Sequence, residues 1–258
     1  MAISNTHDSP SNYLAVRYKI ERVLAGAALV ICAPMLLLIY CVVRLSSRGP
    51  AIYQQQRLGL NGKEFTIYKF RSMVQDAEKD SGATWSQQGD PRVTIVGRFL
   101  RWSHLDELPQ LVNILRGEMA FIGPRPERRQ IVFSLMLQIP CYNERLKALP
   151  GVSGLAQVTL PPDSNIRGVE CKTFLDRKYI RDASLRLDLH ILFSTAMLCF
   201  GLQRKISQRL WLELPFNLSR DEAWVSHQNM DAGPRSLQRI DHLGATWKLP
   251  PQPSKTNV

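Results

Sequence analysis

The chain is poor in cysteine, and the cysteines it has are scattered. Cys32, Cys41, Cys141, Cys171 and Cys199 are odd in number and form no CxxC pair. That pattern argues against a disulfide framework and against a zinc site, and it suits a reducing compartment. Familiar nucleotide and metal signatures are also missing: GxxxxGK[ST], GxGxxG and HExxH do not occur in the 258 residues. No Ser/His/Asp order stands out. Long apolar runs are scarce, one in the whole chain, and the mean hydropathy of −0.16 is far too low for a polytopic membrane protein. A hydrophobic content of 45% excludes a disordered chain.

Acidic residues are outnumbered. The chain carries 33 Lys+Arg against 22 Asp+Glu, a net charge of +11. Such an excess points to an anionic partner: nucleic acid, a lipid headgroup surface or a phosphorylated substrate. Without a helix-turn-helix or zinc signature, nucleic acid is the weakest of the three.

The one apolar run covers residues 23–43, 21 residues without a charge. As a single helix it measures about 31 Å, enough to cross a bilayer core. About twenty residues precede it and no small-residue cleavage pattern follows, so it is not a secretory signal. Pro34 divides the run and removes a backbone hydrogen bond. Arg17, Lys19 and Arg22 lie before it and Arg44 and Arg48 after it, so the positive-inside tendency places both flanks on the cytoplasmic side. A Pro-broken, re-entrant helix that returns to the face it entered satisfies both features; a kinked span is the other form open to it.

The remainder reads as an α/β body, mostly helical, with a few short strands. Phe65-Thr66-Ile67-Tyr68 suits a strand entered through an Asn61-Gly62 turn. Asp90-Pro91 opens a turn before Val93-Thr94-Ile95-Val96. Leu105, Leu108, Leu111, Val112 and Leu115 recur at helical spacing, with Asp106 fit for the N-cap and Gly117 just past the end. Further helices are expected over 127–138 and 172–200, the latter broken near Ala183-Ser184. Residues 191–202 are apolar but too short to span. Pro161-Pro162 marks a loop, and the polar, proline-rich end is expected to be disordered. The divisions that follow are an N-terminal extension, 1–16; a membrane segment, 17–48; a catalytic domain, 49–202; and a C-terminal extension, 203–258.

Chemistry concentrates between Lys69 and Arg129. Asp106 and Glu107 are adjacent at the start of a helix, where the helix dipole favours ionised acids. Such a pair can cap the helix, hold a divalent cation, or supply a nucleophile with a neighbouring base. From 92 to 129 every basic residue is arginine: Arg92, Arg98, Arg101, Arg116, Arg125, Arg128 and Arg129. The planar fork of arginine suits bidentate phosphate binding. In Gly123-Pro124-Arg125-Pro126 two prolines stiffen the backbone around one arginine, and Lys69-Phe70-Arg71 adds two cations. Trp85, Trp102 and His104 could pack or stack.

Read in order, Lys69-Phe70-Arg71-Ser72-Met73, Asp90-Pro91-Arg92-Val93-Thr94, Gly97-Arg98, the LDELPQL stretch at 105–111, the GPRP stretch at 123–126, and Pro150-Gly151-Val152-Ser153-Gly154 with Ala156-Gln157-Val158 form a set. That set resembles the bacterial sugar transferases, the monotopic polyprenyl-phosphate phosphoglycosyl transferases. The likeness runs over about 17–201. Arg48-Gly49-Pro50, Gln56-Arg57-Leu58-Gly59, Asn61-Gly62, Asp176, Tyr179, Ser184 and Asp188 also match.

The resemblance implies Mg²⁺-dependent transfer of a sugar 1-phosphate from a UDP-sugar to undecaprenyl phosphate, starting an exopolysaccharide or O-antigen-type glycan. By that resemblance Asp106 is the nucleophile, forming an aspartyl-phosphosugar and expelling UMP, and Glu107 assists with metal or proton. It also implies that Arg125 contacts nucleotide or phosphate, that Lys69, Arg71 and Arg98 neutralise phosphates, and that the helix kinked at Pro34 is re-entrant. The expected location is the bacterial inner membrane, with the catalytic domain on its cytoplasmic face. A non-catalytic membrane scaffold for polysaccharide assembly is the alternative.

Four positions depart from the family pattern. The kink is Ala33-Pro34 where Ser-Pro is usual, Glu21 stands where Asp is commoner, and His104 precedes LDEL where Ser is common. Thr159-Leu160-Pro161-Pro162 follows Ala156-Gln157-Val158 where the family often continues Gly-Arg, which leaves the sugar identity open.

Overall fold

A computed structural model of the chain describes residues 10–75, 77, 90–160 and 166–199. All of them lie in the first of two units, Met1–Phe216; nothing in the second, Asn217–Val258, is described. The expected Pro161-Pro162 loop, Trp85 and the C-terminal extension fall outside the described residues.

The apolar run becomes the middle of a 37-residue helix, α1 (Pro10–Ser46), which starts ahead of the first basic flank. It is long and apolar enough to cross a membrane. Pro34 sits inside it without interrupting the helix, so the expected break is the loss of one backbone hydrogen bond within a continuous element. One face of α1 is buried: Leu14, Arg17, Glu21 and Ala25 in the first half, Ile39 and Val43 in the second. These positions repeat every three or four residues, the spacing of a single helical stripe. The opposite face leaves Val23, Val30, Ile31, Leu37 and Leu38 exposed, Ile31 to 78%.

Two small sheets follow. In the first, β1 (Ile52–Leu58) pairs antiparallel with β2 (Glu64–Phe70), in register from Ile52 opposite Phe70 to Leu58 opposite Glu64. The hairpin turns through Asn61 and Gly62 at φ 54° and 73°, the left-handed conformation that this dipeptide supplies at low cost. The residues expected to form a strand are thus the centre of β2, and its partner β1, with three consecutive glutamines, carries no strand signal.

Val93 makes only an isolated bridge to Met73, after which the chain turns into helix α2 (Ile95–Trp102). Thr94 caps it, its hydroxyl accepting from the Gly97 amide at 2.9 Å. Gly97 is required by packing: a β-carbon there would collide with the Ser72 carbonyl. The expected 105–115 helix forms in two parts, 3₁₀ turns over Leu105–Gln110 and then α3 (Leu111–Arg116). Its cap corrects the sequence expectation: His104, at φ 57°, holds the N-cap place and Asp106 lies in the first turn. Gly117 ends α3 at φ 74°, as expected of a left-handed C-cap.

The second sheet is parallel, β3 (Ala120–Ile122) beside β4 (Gly151–Ser153). Between them lies α4 (Arg129–Met136), within the span expected to be helical. A short α5 (Leu155–Thr159) leads towards α6 (Ile166–Asp182) and α7 (Leu185–Cys199), which break where Ala183-Ser184 suggested.

The core is continuous with α1. Ala25 packs with Phe65, Ile67, Leu111, Ile114 and Met119, while Ile39 and Val43 pack with Ala51, Phe70 and Leu100. A third cluster joins Leu58, Val132, Leu135, Ile139, Tyr142 and Val169. Asn113, wholly buried, ties α3 to β2: its side chain accepts from the Tyr68 amide at 3.1 Å and donates to the Thr66 carbonyl and to Glu118 Oε2, each at 2.7 Å. Asn113→Ala strands two backbone groups of β2, and the expected cost is about 2–4 kcal/mol. That corresponds to a fall of roughly 4–16 °C in the melting temperature of the detergent-extracted protein; a change under about 2 °C contradicts the assignment.

Candidate active site

Three separate segments deliver the charged side chains that meet. Lys69 comes from the end of β2, Asp106 and Glu107 from the 3₁₀ turns that precede α3, and Arg125 from the loop after β3. Glu107 is the junction. Its Oε1 receives Lys69 Nζ at 2.5 Å and Arg125 Nη2 at 3.2 Å, with the Glu107 side chain only 13% exposed.

The electrostatics of the two acids diverge. Burial alone would raise the Glu107 carboxyl; the charges and hydrogen bonds of Lys69 and Arg125 override it and hold it at about 2. Burial also pulls the Lys69 ammonium below its usual range, against the pull of Glu107, and the neighbouring Arg125 charge adds to the lowering. Asp106 goes the other way. Burial first, and then the adjacent Glu107 charge, push its carboxyl above the ordinary aspartate value, with Lys69, Arg101 and His104 opposing. A helix-start position alone implies two stabilised carboxylates; the surroundings make one fixed anion and one that is short of positive charge. Asp106 takes no hydrogen bond from any described side chain or backbone group.

A divalent cation can be tested against this geometry. Among the described residues no third metal-ligating side chain joins the pair. Mg²⁺ does not need one, because it commonly binds through one or two carboxylates and completes its shell with water and substrate phosphate. The unpartnered Asp106 carboxylate and the second oxygen of Glu107 are chemically suited to that arrangement.

The structure thus brings together Asp106, Glu107, Lys69 and Arg125. It does not bring Arg71 or Arg98 into contact with the acids among the described residues. Arg71 donates Nη2 to the Ser47 carbonyl at 2.8 Å and lies near its hydroxyl at 2.7 Å, holding the segment that leaves α1. Arg98 is exposed on α2. Other arginines of the lysine-free stretch serve as ties: Arg92 to Asp90, Arg101 to the Ser72 hydroxyl, Arg116 to the Tyr68 hydroxyl and Arg129 to Glu64.

The loop bearing Arg125 is held by its carbonyl groups, since Pro124 and Pro126 offer no N–H. Arg17 Nη2 donates to Ile122 O at 2.8 Å, the Gly151 amide to Pro124 O at 2.9 Å, Arg145 Nη2 to Arg125 O at 3.0 Å, Arg57 Nη1 to Pro126 O at 3.0 Å, and the Leu58 amide to Glu127 O at 3.0 Å. Arg17 is in turn paired with Asp188 at 2.8 Å and hydrogen-bonded to Tyr179. From sequence, Arg17 is only a flanking charge and Arg145 carries no motif; the Asp176, Tyr179 and Asp188 matches were the signal that partners for buried cations lay nearby.

Comparison with known proteins finds a family and relatives. The family model described as bacterial sugar transferase matches residues 12–201. The chain is 39% identical over 183 residues to the UDP-N-acetylgalactosamine-undecaprenyl-phosphate N-acetylgalactosaminephosphotransferase of Aeromonas hydrophila, covering 71% of this chain and 43% of that protein. It is 45% identical over 139 residues to a putative undecaprenyl-phosphate N-acetylgalactosaminyl 1-phosphate transferase of Bacillus subtilis, covering 54% of this chain and 77% of the relative. It is 40% identical over 182 residues to the UDP-glucose:undecaprenyl-phosphate glucose-1-phosphate transferase of Escherichia coli, covering 67% of this chain and 38% of that one. Two of these three relatives are therefore matched over less than half their length.

Because Glu107 is depressed from an ordinary 4.5 to about 2, its ion pairs stabilise the fold fully above pH 4.5 and lose that effect as pH falls through 2. Lys69→Met is expected to destabilise the protein by roughly 1–3 kcal/mol at pH 7. The deficit should shrink as the pH is lowered from 4.5 towards 2, read by melting in detergent at each pH. A deficit that stays constant over that range contradicts the ion pair as its source.

Proposed function

Since the chain belongs to the bacterial sugar transferase family, we propose that it is a phosphoglycosyl transferase that moves a sugar 1-phosphate from a UDP-sugar to undecaprenyl phosphate, initiating an exopolysaccharide or O-antigen-type glycan. The observation that carries this reading is the division of labour between the acids. Glu107 is neutralised and fixed by two cations, whereas Asp106 beside it is buried, unpartnered and free to react.

Phosphoryl transfer asks a protein for positioning and charge neutralisation more than for acid–base chemistry. In the proposed first step a carboxylate oxygen of Asp106 forms a bond to the phosphorus that carries the sugar, and the bond from that phosphorus to UMP breaks. UMP leaves with the electron pair. An oxygen of undecaprenyl phosphate then bonds to the same phosphorus, the aspartyl–phosphorus bond breaks, and the Asp106 carboxylate is restored. Lys69 and Arg125 stand ready to neutralise the phosphates of the donor. Asp106 and Glu107 would hold Mg²⁺, which when bound supplies positive charge against the pyrophosphate oxygens.

Placement at the membrane follows from α1. Both halves of the helix rest on one body, which supports a re-entrant helix over one that carries its far half across the bilayer. Basic residues at both ends favour the cytoplasmic face of the inner membrane.

Asp106→Asn and Glu107→Gln are each expected to abolish UMP release from UDP-sugars in membranes supplied with undecaprenyl phosphate and Mg²⁺, with a loss of at least about 10³-fold. Near-normal turnover in either variant overturns the catalytic roles of the two acids, and a wild-type protein that releases UMP from no UDP-sugar supports the scaffold alternative. On a cysteine-free background, single cysteines at Ala15 and Arg48 should both react with a membrane-impermeant maleimide only from the cytoplasmic side. Opposite sidedness overturns the re-entrant arrangement.

A further inference from the structure

Arg145 belongs to no motif of the site and lies in the 3₁₀ turns Tyr142–Lys147, between α4 and β4. Its side chain is 3% exposed, and it contacts three different groups. Nη2 donates to the backbone carbonyl of Arg125 at 3.0 Å and lies 2.7 Å from Oδ2 of Asp176, itself buried on α6. Nη1 donates to the hydroxyl of Tyr142 at 2.6 Å, a side chain only 1% exposed. A buried guanidinium is expensive to keep unless a carboxylate compensates it, and Asp176 does so. What this cation touches besides its compensators is the main chain of Arg125, whose side chain shares Glu107 Oε1 with Lys69.

We propose that Arg145, buttressed by Asp176 and Tyr142, is a positioning residue for the transfer reaction: it fixes the Arg125 backbone so that the Arg125 guanidinium meets Glu107 and a donor phosphate together. The proposal rests on the phosphoglycosyl transferase reading of the site. Its physical basis is the proline-bounded loop. Pro124 and Pro126 fix φ on either side of Arg125 and remove two donors, so apart from the Gly123 amide, which donates to the Ser153 carbonyl at 2.9 Å, the loop is gripped through its carbonyls among the described residues. The Arg125 carbonyl is gripped by Arg145, and no backbone amide takes that role. Lysine cannot replace it, because a single ammonium cannot keep the planar fork that reaches Arg125, Tyr142 and Asp176 at once.

The test uses the full-length protein in detergent, with UDP affinity by calorimetry and UMP release as separate readouts. Arg125→Ala sets the signature of a lost Arg125: a weaker UDP Kd and a characteristic division of its effect between kcat and KM. Arg145→Lys is expected to weaken UDP binding and lower kcat/KM by about 10- to 100-fold, the penalty of a reactive geometry displaced by an ångström or so. The division between kcat and KM should copy that of Arg125→Ala. In the Arg125→Ala background Arg145→Lys should add less than about two-fold, since groups that act as one unit are not additive. Tyr142→Phe, which removes one hydroxyl and no volume, should give a milder loss of about two- to five-fold with the same dependence on Arg125, and it carries the test if Arg145→Lys does not fold.

An equal loss in both backgrounds overturns the proposal, as does a fall in kcat with KM and UDP affinity unchanged, which is what a smaller folded fraction gives. Unaltered kinetics in a folded Arg145→Lys overturns it too. If wild-type protein binds no UDP and releases no UMP, it is the functional reading that fails, and the proposal falls with it.

Discussion

The ion cluster at Glu107 is the constraint around which the rest is arranged. One carboxylate, 13% exposed, is shared by a lysine from β2 and an arginine from the loop after β3. Removing either cation leaves the buried Glu107 carboxylate with one partner in place of two, so the strand, the 3₁₀ turns and the loop are held in their relative places by a shared charge. The cluster also sets the state of its neighbour. Burial, and after it the fixed charge of Glu107, raise the Asp106 carboxyl, while Lys69, Arg101 and His104 oppose the shift. An acid in that condition favours an arriving cation or an electrophilic phosphorus.

Holding the loop requires a second layer. The prolines that stiffen the Arg125 segment remove two of its donors, and besides the Gly151 and Leu58 amides three side chains hold its carbonyls: Arg17 from α1, Arg57 from β1 and Arg145 from the turns before β4. Each brings a carboxylate, respectively Asp188, Glu127 and Asp176. Helix α6 serves two of these points, since Asp176 and Tyr179 lie three residues apart and so share one face. A large part of the arginine excess is thereby used inside the protein. Arg98, exposed on α2, is among the cations left outside these ties.

How far the sequence disclosed this depends on the kind of signal. Helical periodicity and glycine chemistry placed α3 and its end at Gly117, the Asn61-Gly62 hairpin, and the break between α6 and α7, because these are local. Ordered motifs identified the acidic pair, Lys69 and Arg125. Three features escaped. Strand β1, IYQQQRL, has no alternation and owes its existence to pairing with β2. Helix α2 begins in a β-branched stretch, Val93-Thr94-Ile95-Val96, and forms because Thr94 caps it and Gly97 lets it approach Ser72. Arg17 and Arg145 reach across 105 and 20 residues to their carbonyls, and spacing along a chain contains nothing about such distances. Lysine-free arginine runs suggested phosphate, whereas Arg92, Arg101, Arg116 and Arg129 proved to be ties within the fold.

Helix α1 shows the same limit from another side. Hydropathy marks residues 23–43 as lipid-seeking but cannot say that one stripe of the helix belongs to the core of the folded body. Ala25 is fully buried against Phe65, Ile67 and Ile114, and Val43 is 1% exposed beside Phe70 and Leu100. A fully buried aliphatic or aromatic side chain contributes about 1.5–3 kcal/mol. Uncovering even half of what those five partners bury therefore removes several kcal/mol from a total that for ordinary domains is only about 5–15. Helix α1, long and apolar enough to cross a membrane, is thus also a wall of the core. Arg17 and Glu21 extend the point, because they bond to the Ile122 carbonyl and the Phe121 amide, one strand ahead of Arg125. Seating the helix and shaping the loop are, in this fold, the same event.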